Sequence, residues 1–187
     1  MTVARYAART AAFAVTYLLA FWAGAFLFLS PLPVAALWML VQGRWGLRRF
    51  DVITLVTATT VAGILGGTHL LSSLGLAAMV TLPALMFAVL VDRWAPGWWQ
   101  GHGDRFRSPQ SRLVRIAGAA ALSVAAYLVL QAVLMPGISA FAVIFTLVRD
   151  VAAILLLTLA GRVLARKLSA APATVAPLVR AGDRSHR

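Results

Sequence analysis

The sequence predicts an all-α protein, a polytopic bundle of six membrane-spanning helices with both termini in the cytoplasm. The first observation behind this prediction is composition. The 187 residues are 61% hydrophobic and 12% charged, with a mean hydropathy of +0.88, and a soluble domain of this size could not bury so much apolar surface. The second observation is that basic junctions alternate with uncharged junctions along the chain.

The uncharged junctions are the three short segments 30–33, 72–75 and 136–139. The remaining junctions and the segment before the first apolar run are basic, and their residues are Arg5, Arg9, Arg44, Arg48, Arg49, Arg93, Arg105, Arg107, Arg112, Arg115, Arg162, Arg166 and Lys167. Arginine and lysine concentrate on the cytoplasmic side of membrane proteins. The alternation therefore predicts six crossings, and it fits a bacterial cytoplasmic (inner) membrane.

The first two runs differ in length. Residues 10–29 form a run of about 20 residues, which is long enough to span and is interpreted as an uncleaved helix. Residues 33–42 cover only about half a crossing. Either this second run continues through Gly43, Arg44 and Trp45 with the arginines reaching the lipid headgroups, or it is a broken element shielded by its neighbours.

The other four runs are residues 52–71, 76–91, 113–135 and 140–164. The third contains Gly63, Gly66 and Gly67, which allow close helix packing in lipid. The fourth contains Pro83, which removes a backbone hydrogen bond and predicts a kink. Residues 1–168 are thus predicted to be one transmembrane domain, and residues 169–187 a disordered basic cytoplasmic tail.

The sequence argues against catalysis. It contains no phosphate-binding glycine loop, no zinc-protease motif and no nucleophile elbow. It has no cysteine, and its histidines are too scattered to predict a metal site. All five carboxylates are aspartates, and four of them are assigned to cytoplasmic junctions or the tail: Asp51, Asp92, Asp104 and Asp183. We therefore expect no catalytic residue, no cofactor and no metal.

The net charge of +12 raises the question of nucleic acid. The basic residues cluster at membrane boundaries, where anionic lipid and topology account for them. No basic patch interleaved with aromatic residues is present. The expected partner is membrane lipid and not nucleic acid.

The first predicted helix carries a ladder of small residues at every fourth position: Ala4, Ala8, Ala12, Thr16, Ala20 and Gly24. Such a ladder makes a groove into which a second helix can press closely. The groove either faces the protein's own bundle or docks a partner subunit, and the pattern alone leaves both possibilities open.

Arg149 and Asp150 stand near the middle of the sixth run, where an embedded charge costs about 2.5 to 3.5 kcal/mol. In one alternative, Asp150 caps a helix that begins there, after a separate entry segment at 140–148. That helix would be only about 15 residues long, which favours embedded charges. Adjacent helical residues point about 100° apart, so each charge is expected to need partners on other helices.

The candidate partners lie in the outer halves of the third and fifth runs. They predict an outward-opening ligand pocket, with Arg149 binding an anionic or carbonyl-bearing solute. The pocket residues are Arg149, Asp150, Thr68, His69, Tyr127 and Gln131.

The chain has six predicted helices in 187 residues, both predicted ends in the cytoplasm, Ala4, Ala8 and Ala12 on the leading helix, and a basic central loop. In these features it resembles the S components of energy-coupling-factor (ECF) vitamin importers. In that family the first helix docks the transmembrane coupling subunit, and the ligand occupies an outward-facing cavity between helices. The resemblance therefore implies Ala4, Ala8 and Ala12 as partner contacts.

Two other resemblances imply different functions. The stretch 63–76 and the ending at 164–168 are similar to MreD-type rod-shape proteins, with Thr68 and His69 where those chains carry an aspartate. The outline also resembles the membrane-embedded sensor domains that precede bacterial signalling enzymes. The sequence as a whole favours a small-molecule-binding importer subunit; the alternatives are an MreD-like scaffold of the cell-wall elongation machinery and a membrane-embedded sensor.

Overall fold

In a computed structural model, the described residues are 3–27, 30–42, 48–98, 109–135 and 137–170. They form six helices, which confirms the all-α class: α1 Val3–Leu27, α2 Leu32–Gln42, α3 Arg48–Leu65, α4 Leu70–Trp94, α5 Pro109–Leu134 and α6 Ala140–Ala170. Three of them, α4, α5 and α6, contain stretches that are long and apolar enough to cross a membrane. Most of the predicted tail, residues 171–187, lies outside the described residues.

The short helix α2 is the centre of the bundle. It packs against α1, α3, α4 and α6, and eight of its 11 residues are buried. Eleven residues of α-helix measure roughly 16 Å, about half the thickness of a bilayer core. Neighbouring helices thus enclose this short helix, as the second alternative for residues 33–42 requires. The first alternative, a continuation through residues 43–45, stays a prediction, because residues 43–47 lie outside the described part of the chain.

The junction between the third and fourth helices differs from the prediction. The run at 52–71 was expected to end in a turn at 72–75, but α3 ends at Leu65 and α4 begins at Leu70. Gly67 has a φ of 86°, which is left-handed backbone that favours glycine. The N–H of Gly67 donates to Ile64 and that of Thr68 to Gly63, so a Schellman motif ends α3. Residues 72–75 therefore lie inside α4.

Contacts between distant segments bring arginines of α3 and α5 to one end of the bundle. Arg48 at the start of α3 pairs with Asp92 near the end of α4, at 2.6 Å. Nη1 of Arg115 in α5 donates to the carbonyl oxygen of Trp94, at 2.9 Å. We call this the basic end. The turns that follow α3 and α5 carry no charged residue and lie at the opposite, uncharged end.

Pro83 lies inside α4, which continues from Leu70 to Trp94. The residue is buried, and the hydroxyl of Ser123 in α5 donates to its carbonyl oxygen at 2.8 Å. In lipid, hydroxyl groups of neighbouring helices commonly hydrogen-bond to backbone next to such a proline. This bond ties α5 to the middle of α4.

Candidate functional site

Arg149 and Asp150 lie in the interior of α6, which is continuous from Ala140 to Ala170. The alternative in which Asp150 caps a helix is therefore wrong. The expectation that the two charges would not satisfy each other is also wrong, because Nε of Arg149 donates to Oδ1 of Asp150 at 2.8 Å. Their backbone directions differ by about 100°, but the long arginine side chain folds back along the helix. The Arg149 guanidinium carbon also lies 5.6 Å from the centre of the Phe145 ring.

Asp150 is 1% exposed and lies where α6 meets the start of α2 and the part of α5 around Tyr127. The hydroxyl of Ser30 lies close to both the Asp150 carboxylate and the Tyr127 hydroxyl. Ser30 also accepts a hydrogen bond from the backbone N–H of Leu32, at 3.2 Å, in the first turn of α2. The carboxylate therefore lies beside the N-terminus of a short helix, where the helix dipole favours negative charge.

One oxygen of this buried carboxylate, Oδ2 of Asp150, lacks a hydrogen-bond donor among the described residues. A buried acceptor without a donor costs about 1 to 3 kcal/mol, and more when it is charged. The arrangement can therefore accept one further hydrogen bond, which the nearby Ser30 hydroxyl or a bound molecule can donate.

The structure brings together three of the six predicted pocket residues, namely Tyr127, Arg149 and Asp150. Gln131 lies one turn beyond Tyr127 and is half-buried. Thr68 and His69 are exposed in the turn between α3 and α4, and α6 packs instead against α2 and α5. The assignment of these two residues to the outer half of a spanning helix fails because α3 ends earlier than expected.

Sequence reasoning missed Ser30. The residue was placed in an outer turn, because it follows an apolar run of spanning length. Since α2 is a short central helix, its first turn instead packs at the level of Tyr127 and Asp150, seven and 10 residues from the uncharged ends of α5 and α6. The short length of the second run was the one signal that could have indicated this.

A second polar cluster lies at the basic end. Asp51, predicted to lie in a cytoplasmic junction, lies in the first turn of α3 and is fully buried. Its Oδ1 accepts hydrogen bonds from the Tyr6 hydroxyl at 3.0 Å and from Nε1 of Trp38 at 3.3 Å. Burial raises the pKa of the Asp51 carboxyl group. The other oxygen, Oδ2, has no hydrogen-bond partner among the described residues.

Gln42 belongs to the same cluster. It is fully buried, and its Nε2 donates to the Thr10 hydroxyl at 2.9 Å. Thr10 lies one turn from Tyr6 on α1, and Gln42 lies one turn from Trp38 on α2, so these pairs share faces. We call these five residues (Tyr6, Thr10, Trp38, Gln42 and Asp51) the basic-end cluster. Oε1 of Gln42 is a second buried acceptor without a partner among the described residues.

The small-residue ladder on α1 lies mostly outside the bundle. Its first four members, Ala4 to Thr16, are exposed, whereas Ala20 and Gly24 are half-buried. Helix α1 packs against α2 and α3 through other positions, such as the fully buried Tyr17. Packing within the protein's own bundle, one of the two alternatives, therefore does not apply to Ala4, Ala8, Ala12 and Thr16.

The exposed part of the ladder borders a groove. Residues of three helices line this groove, which has a volume of about 210 Å³: Arg9, Ala12, Phe13 and Thr16 of α1, Val34 and Leu37 of α2, and Leu157 of α6. The groove is almost entirely apolar except for Arg9. A surface of small residues beside an apolar groove is suited to close contact with another helix in lipid.

No group of three or more His, Asp or Glu side chains that could hold a metal ion occurs in the described part of the chain. Comparison with known proteins finds no family, no curated protein and no solved structure that matches the chain. The fold and the sites thus define a class and no family: an all-α helical protein with three helices able to cross a membrane.

Proposed function

We propose that this protein crosses the cytoplasmic membrane of a bacterium six times, with both termini inside, and acts as the non-enzymatic small-molecule-binding subunit of an importer. The observation that carries the proposal is the buried Asp150 carboxylate beside the start of a short central helix, with one oxygen that has no hydrogen-bond partner among the described residues. In many transporters, helices interrupted near the membrane midplane place their ends at the substrate. Ionisable residues at that depth mark functional sites.

The site suits a solute with two kinds of polar group. Arg149 keeps 24% of its side chain exposed, and a guanidinium suits a carboxylate or carbonyl oxygen. Oδ2 of Asp150 accepts a hydrogen bond, so a hydroxyl or amine on the same solute would complete the site. Amino acids and hydroxylated carboxylic acids have this combination.

The test of the solute site is a thermal-shift screen of the purified protein with carboxylic acids that carry hydroxyl or amine groups. We expect at least one compound to raise the melting temperature of the wild type and to lose this effect in Arg149→Ala. The matched control is Arg162→Ala, which removes an arginine from the same helix at the basic end. Since Arg149→Ala leaves Asp150 buried without its counter-charge, Arg149→Ala with Asp150→Asn is made as well. A double variant that restores folding and still binds the compound would assign the pair to the scaffold.

The exposed ladder supports a partner subunit. We expect Ala12→Leu to prevent co-purification with the partner, because a leucine fills the surface against which a facing helix would pack. Ala11→Leu is the matched control: Ala11 is also exposed, and it lies outside the ladder. Equal loss of the partner in both variants would show that the ladder is not the contact.

A second candidate, the MreD-like scaffold, is favoured by one observation. Arg149 and Asp150 pair with each other, so both charges are partly satisfied without a ligand. A native-membrane pull-down separates the two functions: ATPase subunits in the eluate support the importer, and cell-wall synthases support the scaffold.

The six-crossing topology can be tested by cysteine labelling, because the wild type has no cysteine. Ser72 and Ser139 are exposed near the uncharged end, and Gln110 is exposed near the basic end. We expect Ser72→Cys and Ser139→Cys to react with a membrane-impermeant maleimide in intact cells and Gln110→Cys to react only after lysis. Reaction of Gln110→Cys in intact cells would contradict the proposed orientation. Ser73 is unsuitable because it is fully buried.

A further inference from the structure

We propose that the basic-end cluster is a proton-binding site, in which Asp51 carries a proton while α1, α2 and α3 are packed together and releases it to water when they loosen. This site is separate from the one around Asp150 and does not depend on the importer assignment. The proposal concerns five residues that three helices bring together, Tyr6 and Thr10 from α1, Trp38 and Gln42 from α2, and Asp51 from α3.

The first argument is the balance of donors and acceptors. Oδ1 of Asp51 already has two donors, the Tyr6 hydroxyl and the Trp38 indole N–H. Oδ2 of Asp51 and Oε1 of Gln42 are both buried acceptors that lack a donor among the described residues. Buried polar atoms in proteins are nearly always paired. Nε of Arg48, one turn before Asp51, is a buried donor, but it too has no hydrogen-bond partner among the described residues, so it does not satisfy either oxygen. A proton on Oδ2 removes one surplus acceptor and supplies a donor at the carboxyl group itself.

The second argument is the absence of a dedicated counter-charge among the described residues. Arg48 lies one turn before Asp51 and lowers the energy of its ionised form, but Nη2 of Arg48 is paired with Asp92 of α4 at 2.6 Å. On α1, Arg5 and Arg9 are exposed.

The other titratable groups described on the packed helices are either neutral or exposed. Tyr6 contributes a hydroxyl, and the described part of α2 contains no titratable residue. On α4, Arg93 is exposed. Burial disfavours the ionised carboxylate of Asp51 more than Arg48 and the two hydrogen bonds favour it, so the protonated form gains stability relative to an aspartate in water. The raised pKa of Asp51, caused mainly by burial, agrees with this geometry.

A sodium ion is the other occupant that two buried oxygens could attract. Hard cations in proteins take six or more oxygen ligands, and the basic-end cluster offers the side-chain oxygens of only four residues. The Trp38 N–H also points at the carboxylate, and its positive end would repel a cation. A proton needs one oxygen and no further ligands, so the cluster favours a proton.

Proton binding would couple pH to the packing of α1. Below the ordinary pKa of aspartate, about 3.9, the carboxyl group is protonated in both folded and unfolded chains. Because burial raises the folded pKa, the folded chain holds more protons than the unfolded chain between the two values, and stability falls as pH rises through that window. Above the folded pKa, an ionised Asp51 is left buried, and the contacts of α1 with α2 and α3 are weakened.

Infrared spectroscopy of the purified protein in lipid tests the proposal directly, because protonated and ionised carboxyl groups absorb at different frequencies. The chain has only five carboxylic side chains, all aspartate, so assignment is tractable. At neutral pH we expect a protonated-carboxyl band that Asp51→Asn abolishes. Asp92→Asn is the matched control, since Asp92 is exposed, and Asp150→Asn separates any contribution from the second buried aspartate.

Stability measurements give an independent readout. Asparagine mimics a protonated aspartate, so the melting temperature of Asp51→Asn should exceed that of the wild type increasingly as pH rises, and Asp92→Asn should not show this trend. Tyr6→Phe removes a donor to the ionised form and should move the midpoint of the band's titration to higher pH. This variant and the wild-type titration remain informative if Asp51→Asn does not fold.

Three results would overturn the proposal. The first is a wild-type spectrum with no protonated-carboxyl band at neutral pH, and the second is a band that persists in Asp51→Asn. The third concerns the effect of salt on the melting temperature. If sodium chloride raises the melting temperature of the wild type, choline chloride does not, and Asp51→Asn responds to neither salt, the cluster binds a cation.

Discussion

Of the glycines whose surroundings are described, Gly63 in α3 lies closest to a neighbouring helix, α4. Its replacement by alanine tests this packing. A Cβ atom at this position would lie 2.8 Å from Oγ of Ser73, 3.1 Å from Cβ of Ser73 and 3.0 Å from Oγ1 of Thr68. Ser73 is fully buried, and its hydroxyl is bonded to that of Thr68 at 2.6 Å. The hydroxyl cannot turn away without breaking this bond, and the Ser73 Cβ cannot move without α4.

Two opposing effects determine the size of the change. Alanine is favoured over glycine inside a helix by about 1 kcal/mol. Forcing an extra carbon into a packed interface costs about 1 to 3 kcal/mol. Because the crowding here includes a Cβ atom that is fixed to a helix backbone, we expect the upper part of that range. The net result is a loss of about 1 to 2 kcal/mol, which corresponds to a melting temperature lower by about 2 to 8 °C.

The measurement is thermal unfolding in one detergent, followed by circular dichroism. Gly118→Ala in α5 is the matched control, because a Cβ there would meet only Cζ3 of Trp94, at an ordinary 3.6 Å. We expect it to be neutral or stabilising by up to about 1 kcal/mol. Adding Ser73→Ala to Gly63→Ala removes the closest clash and should recover part of the loss. Equal stability of Gly63→Ala and Gly118→Ala would refute the close approach of α3 and α4.

Two further predictions concern single contacts. Ser123→Ala removes a buried hydrogen bond to the carbonyl oxygen of Pro83 and should lower the free energy of unfolding by about 1 kcal/mol, measured by denaturant titration; no change would show that the carbonyl gains nothing from α5. Arg48→Gln breaks a partly exposed ion pair with Asp92, whose side chains are 28% and 57% exposed. The loss should stay below about 1 kcal/mol and shrink in high salt, and a larger loss that salt does not reduce would contradict a surface role.

Much of the fold could be predicted from the sequence. The all-α class, the number of helices and the presence of apolar segments of spanning length follow from composition and from the lengths of the apolar runs. The grouping of arginines at one end also follows, because alternation along the chain becomes grouping in space once consecutive helices run antiparallel. The end of α3 was missed because a glycine in left-handed backbone ends a helix, and hydropathy does not report backbone conformation.

The sites were predicted less completely. Arg149 and Asp150 could be singled out because a charge in a long apolar run is visible in the sequence. Asp51 could not, because it follows Arg48 and Arg49 and has the sequence context of a solvated junction. It is buried by contacts with Tyr6 and Trp38, 45 and 13 residues away along the chain.

The sequence by itself determined which segments are helical and apolar, since both properties depend on neighbouring residues along the chain. Only the tertiary structure decided which polar groups lose water. That property depends on which helices pack against each residue, as with Asp51 at the junction of α1, α2 and α3 and Ser30 beside Asp150. The tertiary structure likewise left the first four residues of the ladder exposed, because α1 packs against α2 and α3 through other positions.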